Sequence, residues 1–187
     1  MSGKRALQLK ISLVGSRPPV WRRVLVPDSL TLAQLHRVIQ LSMGWTNSHL
    51  HQFEIGGERY TEFSEDIEAG ALDSTSFTLQ DVGLRRGGKA LRYNYDFGDN
   101  WLHDVVVESE LTAGPTVNLP RCLGGRRACP PEDCGGVHGY RRLLAAVSDP
   151  RHPEHDDMMR WVGPDFDPAA FDAEEVNLVL QRAFRSR

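Results

Sequence analysis

The sequence predicts an α+β fold: a β-grasp-like mixed sheet, extended by a further hairpin and followed by C-terminal helices. Three observations predict it. Residues 7–13 alternate apolar and polar side chains, residues 31–44 carry a capped helix with one apolar stripe, and a Gly-Asp-Asn turn at 98–100 separates two strand-like runs.

In the run 7–13, Leu7, Leu9, Ile11 and Leu13 face one way and Gln8, Lys10 and Ser12 the other, the period-two pattern of a half-buried strand. Ser16–Pro19 is a turn, and residues 20–26 (VWRRVLV) form a second strand, so the two make a hairpin. Thr31 then caps a helix, with Gln34 placed to complete a capping box. Leu35, Val38, Ile39 and Met43, with Ser42, share one face, and Gly44 ends the helix.

Residues 49–55 (HLHQFEI) are a third strand, turned by Gly56-Gly57 into a fourth. Strand-strand-helix-strand-strand is the order of a ubiquitin-like β-grasp, a likeness of topology that says nothing about activity. Residues 62–76 are acidic and polar and are predicted to be an exposed loop, and residues 76–84 a short strand. Residues 90–97 and 101–107 flank Gly98-Asp99-Asn100 as a hairpin.

From 114 to 136 Gly and Pro dominate and all three cysteines appear. Helical segments follow: 139–148, ending before Asp149-Pro150, a short piece at 156–162, and a last helix capped by Asp172 with Glu175 at the capping-box position. The whole chain, 1–187, is predicted to be one domain, with a sheet-and-helix core at 6–110, a Gly/Pro/Cys-rich loop at 111–137 and helices at 138–187.

The bulk numbers exclude some classes. A net charge of -3 gives no overall electrostatic footprint for nucleic acid, leaving only a local cluster of Arg121, Arg126, Arg127, Arg141 and Arg142. No apolar run approaches a membrane span, and the first residues lack a signal-peptide core, which points to a cytoplasmic protein. An odd number of cysteines, three, in a reducing compartment points to thiols or metal ligands rather than to a disulfide set.

Four segments could carry chemistry. His49 and His51, two apart on a predicted strand, would share a face and could hold a metal, or be partly buried beside Phe53 and Ile55. In YDFGDNWLH, Asp96, Asp99 and His103 could be ligands or an acid/base group, although Asp and Gly in a hairpin are first of all turn chemistry. Cys122, Cys129 and Cys134, with His138 as the nearest fourth donor, fit a structural zinc site only loosely, the alternative being small buried thiols. Pro130–Gly136 is stiffened by two prolines and could hold Glu132 and Asp133 for a cation, a basic peptide or a helix N-terminus of its own chain. No Gly-x-Ser-x-Gly elbow, phosphate-binding loop or dinucleotide fingerprint is present.

Taken together, PPVWRRVLVP, TLAQLHRVIQLSMGW, HLHQF, YDFGDNW with its following His103, and PRCLGG with CPPEDCGGVHGY resemble, in content and order, the plasmid pRiA-type ORF-3-like family over residues 6–180. The resemblance implies an α+β domain carried on plasmids and mobile elements, without naming a reaction. The resolvase-like label borne by some members finds no catalytic-serine segment near the N-terminus here.

Three functions follow as expectations. The first is a non-enzymatic binding module for a protein partner, with Trp21, Arg22, Arg23 and Trp45 as exposed anchors. The second is a metal-dependent hydrolase, in which His49, His51, Asp96, Asp99, His103, Glu132 and Asp133 converge on one cleft. The third is a DNA-binding accessory protein. Any site is expected where HLH, YDFGD and CPPEDCGG meet.

Overall fold

The computed structural model describes residues 4–88, 91–114 and 116–185. Strands β1 (Lys4–Leu13) and β2 (Trp21–Pro27) form the first hairpin, and helix α1 (Leu32–Met43) follows. Strands β3 (His51–Ile55) and β4 (Glu58–Thr61) form the second hairpin. A short helix α2 (Ser64–Glu68) and strand β5 (Leu72–Asp73) lead to the third hairpin, β6 (Leu91–Tyr95) and β7 (Trp101–Ala113). Strand β8 (Arg121–Arg126) precedes α3 (Gly136–Ser148), α4 (His155–Val162) and α5 (Ala173–Phe184).

The eight strands form one sheet in the order β5-β4-β3-β6-β7-β1-β2-β8, antiparallel except at β4–β5. The fold is therefore a mixed α+β architecture with a mostly antiparallel sheet. The likeness to a β-grasp goes no further than the element order, because the third hairpin lies in the middle of the sheet. It separates β3–β4 from β1–β2 and pairs β7 with β1 along ten residues.

The local signals explain the elements. Thr31 caps α1, its hydroxyl accepting from the Gln34 amide while the Gln34 side chain accepts from the Thr31 amide, and Gly44 closes the helix at φ 94°. One sheet face is apolar: Leu7, Leu9, Ile11, Phe53, Tyr93, Trp101 and Val105 pack beneath Leu35, Val38 and Ile39 of α1. The other face carries cross-strand charge, with Arg23 and Gln8 both donating to Glu108 and Arg5 donating to Glu110. Such a face needs no cover from helices.

Three segments differ from expectation. Residues 62–76 are not one loop, since α2 and β5 lie within them. Residues 76–84 form turns, with one bridge between Thr31 and Thr78. The Gly/Pro/Cys-rich stretch contains β8, because β2 offers it an open edge and Gly124 and Gly125 suit a strand with a bulge. Ala90, expected to begin the third hairpin, lies outside the described residues.

Strand β8 ends the sheet, and α5 protects that edge. Asn177 accepts from the Cys122 amide at 2.7 Å and donates to the Cys122 carbonyl at 3.0 Å, supplying from a helix what a ninth strand would have supplied. Asp172 caps α5 through the amides of Glu174 and Glu175. Among the described residues, no helix is long and apolar enough to cross a membrane.

Candidate functional site

The three polar segments do meet, at the end of the sheet where β3 begins and β6 turns into β7. The Gly135 amide donates to Asp99 Oδ2 at 3.1 Å. Glu132 reaches across to α1's exit, where Tyr95 and Thr46 donate their hydroxyls to its two carboxylate oxygens. Trp45 Nε1 donates to the Pro130 carbonyl at 3.0 Å. Gly136, at φ 65°, lies so close to the Asp99 carbonyl that no Cβ would fit there. The acidic loop therefore does not cap its own helix α3; Asp99 faces that N-terminus, and Glu132 serves another segment.

The backbone here is unusual. Of the five described non-glycine residues with positive φ, Asn47, Asp96, Asn100 and Asp133 all belong to these segments or their flanks. Asn and Asp bear the left-handed conformation best, but its clustering marks a place whose geometry the surrounding structure enforces. Asp96 also makes the expected turn, its Oδ1 accepting from the Gly98 and Asp99 amides at 2.9 and 3.3 Å.

The expected histidine pair separates. Strand β3 starts at His51, so His49 lies before it and the shared-face argument does not apply to it. His49 turns to the rim: its Nε2 is 3.2 Å from Asp133 Oδ1 and 3.8 Å from Asp96 Oδ2. His51 turns into the core and stacks on His36, ring centroids 3.5 Å apart and planes 6° from parallel.

The interior histidines are packing residues. His36 holds Tyr93 Oη on Nδ1 at 2.8 Å and Asn47 Oδ1 on Nε2 at 2.7 Å. Burial pushes His36 down to about 4, and burial together with His36 pushes His51 down to about 3. His103 is fully buried against Trp45 and Tyr93, with no hydrogen bond to either ring nitrogen. Burial pushes it down to about 4, although the nearby backbone of Trp101 and Tyr93 favours its proton.

The expected polar cluster is thus split. His49, Asp96 and Asp133 come together, Asp99 and Glu132 stand beside them engaged in the bonds above, and His51 and His103 face the interior. Burial acts to raise the Glu132 pKa, but the bonds from Thr46 and Tyr95 outweigh it and lower it.

Cys122, Cys129, Cys134 and His138 are not brought together. Among the described residues two groups of three donor side chains lie close enough for a common ion, His36/His51/Glu62 and His49/Asp96/Asp133, and neither contains a cysteine. Cys122 is buried on β8 beneath α5, whereas Cys134 Sγ turns to the Gly136 carbonyl at the start of α3. Burial raises all three thiols, Cys134 to about 12, so they are protonated at neutral pH.

Beside Glu132 opens a cleft of about 760 Å³. Its walls are the end of α1 with Trp45, the segment Ala128–Glu132, and the stretch from Phe166 to Val176. Arg22 lines its floor. It is 2% exposed, donates to the Ser42, Trp21 and Arg126 carbonyls, and lies 4.5 Å from the Phe171 ring centroid. Gly125 allows that stack, since a Cβ there would strike Phe171. Arg22 and Trp45, expected as exposed anchors, are buried. Trp21 is half-buried under the Arg23 guanidinium, and Arg23 pairs with Glu108. The apolar side chains that are exposed beside the rim are Leu50 and Phe97.

Sequence reasoning missed His36, Thr46, Asn47 and Asn177. Of these only His36 left a trace, a polar residue next to the apolar stripe of α1. Thr46 and Asn177 act through partners 86 and 55 residues away, which local periodicity does not record, and Asn47 acts from the turn after α1 through His36 and Gln40.

The comparisons with known proteins agree with one another. The sequence pattern of the plasmid pRiA4b ORF-3-like protein family matches residues 5–175. The uncharacterized protein y4hQ of Sinorhizobium fredii is 37% identical over 172 residues, covering 91% of this chain and 88% of its own. The crystal structure of MM3350, a protein of unknown function from Methanosarcina mazei Go1, superposes with a TM-score of 0.86 at 35% identity, covering 93% of this chain and 98% of the other.

Proposed function

The chain belongs to the plasmid pRiA4b ORF-3-like family, and on that footing we propose that it is a non-enzymatic binding module whose 760 Å³ cleft seats a short segment of a partner protein. The observation that carries the reading is the make-up of that cleft. Its volume falls in the range of formed ligand sites, and its walls set apolar and aromatic side chains, Trp45, Pro130, Phe166, Phe171 and Val176, beside a comparable share of polar surface. Against one guanidinium, already engaged by three carbonyls, stand the carboxylates of Glu132, Asp172 and Glu175. Such a surface fits a partner segment with an apolar anchor next to Lys or Arg, and it disfavours DNA. Burial holds the thiols protonated, and it shuts the His51 and His103 rings away from any substrate. The plasmid-borne context implied by the family resemblance suits an accessory module.

The test is fluorescence polarisation with two labelled peptides that share Leu and Trp anchors, one carrying lysines and the other glutamates. The lysine peptide binds, and Glu175→Lys on the exposed rim weakens it about fivefold or more at low salt while stability is unchanged. Equal binding of both peptides, or binding indifferent to Glu175→Lys and Phe166→Ala, contradicts the reading. Salt-sensitive retention of duplex DNA without peptide binding would replace it.

Metal-dependent hydrolysis is a second reading, favoured by the gathering of His49, Asp96 and Asp133. It requires a general base nearby. Asp99 and Glu132 are committed to the Gly135 amide and to Tyr95 and Thr46, which leaves this reading the weaker.

A further inference from the structure

The rim cluster has a feature that a network of surface ion pairs lacks: its polar atoms face one another without bonding. Asp133 Oδ1 is 3.2 Å from His49 Nε2, yet the approach lacks hydrogen-bond geometry, and Nε2 is out of contact with solvent and unpartnered. Asp96 is 7% exposed and spends Oδ1 on two turn amides, while Oδ2 accepts no hydrogen bond and faces the same imidazole nitrogen at 3.8 Å. A buried imidazole nitrogen left without a partner is costly, so the set is one that a missing partner would complete.

We propose that His49 Nε2, Asp96 Oδ2 and Asp133 Oδ1 are the protein ligands of a divalent transition-metal ion such as Zn²⁺. Ligands roughly 2 Å from a tetrahedral zinc stand about 3.3 Å from one another, and the two separations at His49 bracket that value. One imidazole and two carboxylates are a borderline donor set that suits zinc better than calcium or magnesium. Both aspartates are fixed in left-handed backbone conformation, Asp96 at φ 57° and Asp133 at φ 60°, which aims them before any ion arrives. The ion would join three segments far apart in sequence and, through Asp133, pin the end of the Ala128–Glu132 wall of the neighbouring cleft. Three protein donors leave a coordination position for water or a ligand atom.

The interior group His36/His51/Glu62 is no rival. Both nitrogens of His36 are already bonded, and its ring is stacked face to face on that of His51.

The experiment is isothermal titration of the metal-free full chain with ZnCl₂ alone, no peptide present, so its failure and the failure of the cleft reading are separate results. The unmodified chain takes up one equivalent. His49→Gln, Asp96→Asn and Asp133→Asn each weaken it tenfold or more, whereas Cys134→Ser leaves it unchanged. Asn retains the left-handed backbone and the Asp96 turn acceptor, and the Asp133 side chain is 72% exposed, so the variants keep the fold. No uptake by the unmodified chain, uptake undiminished in His49→Gln and Asp133→Asn, or loss through Cys134→Ser alone overturns the proposal.

Discussion

His49 and His51 are two residues apart, and they lie in opposite worlds. His51 enters β3, stacks on His36 under α1 and is held neutral by burial. His49 stands before the strand and faces two carboxylates at the rim. The difference teaches what decides an imidazole's role: not its neighbours in sequence but the point at which the strand begins and the elements packed against each side. The interior region is closed by internal bonds and rings; the rim region leaves its polar atoms aimed at a common point.

The largest test of that contrast is truncation. His103→Ala, emptying a fully buried site between Trp45 and Tyr93, should cost about 3 kcal/mol or more in urea unfolding, the usual cost of a large core deletion. His49→Ala should change stability by less than about 1 kcal/mol. Equal costs would break the distinction.

Per side chain, acid gives the next largest effect. His36 and His103 have folded pKa values of about 4, below the unfolded value of 6.5, so the unfolded chain binds more protons between those limits. Their contribution is complete above about pH 6.5 and is lost as pH falls toward 4, on the order of 2 to 3 kcal/mol each by pH 4.5. Denaturation curves at pH 7.5, 6.0 and 4.5 should show this fall.

A smaller effect separates the two tasks of Asp96. Asp96→Ala loses the acceptor for two turn amides and places a poor residue at positive φ, costing about 1 to 2 kcal/mol. Asp96→Asn should cost less than about 0.5 kcal/mol in thermal unfolding of the metal-free chain, because it keeps both features. If the two variants are equally unstable, the turn does not depend on that acceptor.

The same contrast explains how much was legible in the sequence. The alternation at 7–13, the Thr31/Gln34 box and Gly44 are local signals, and the hairpin, helix and caps they predict are present. The meeting of HLH, YDFGD and CPPEDCGG was also foreseeable, because those segments are more polar than packing requires. What sequence could not supply is register over distance. Placing the third hairpin in the centre of the sheet depends on β1 pairing with β7, a hundred residues away. Within that hairpin the register puts His103 beside Tyr93 in the core, and the start of β3 one residue past Leu50 divides His49 from His51. The cysteine set is split for the same reason: Cys122, expected in a loop, sits on an edge strand whose backbone is already paired by Asn177.

The most direct measurement of the central claim is the imidazole region of the NMR spectrum, with assigned histidine rings, before and after one equivalent of Zn²⁺ at pH 7. The His49 ring resonances should move while those of His36, His51 and His103 stay in place. Movement of the interior rings with His49 unmoved, or no change in any ring, would contradict it.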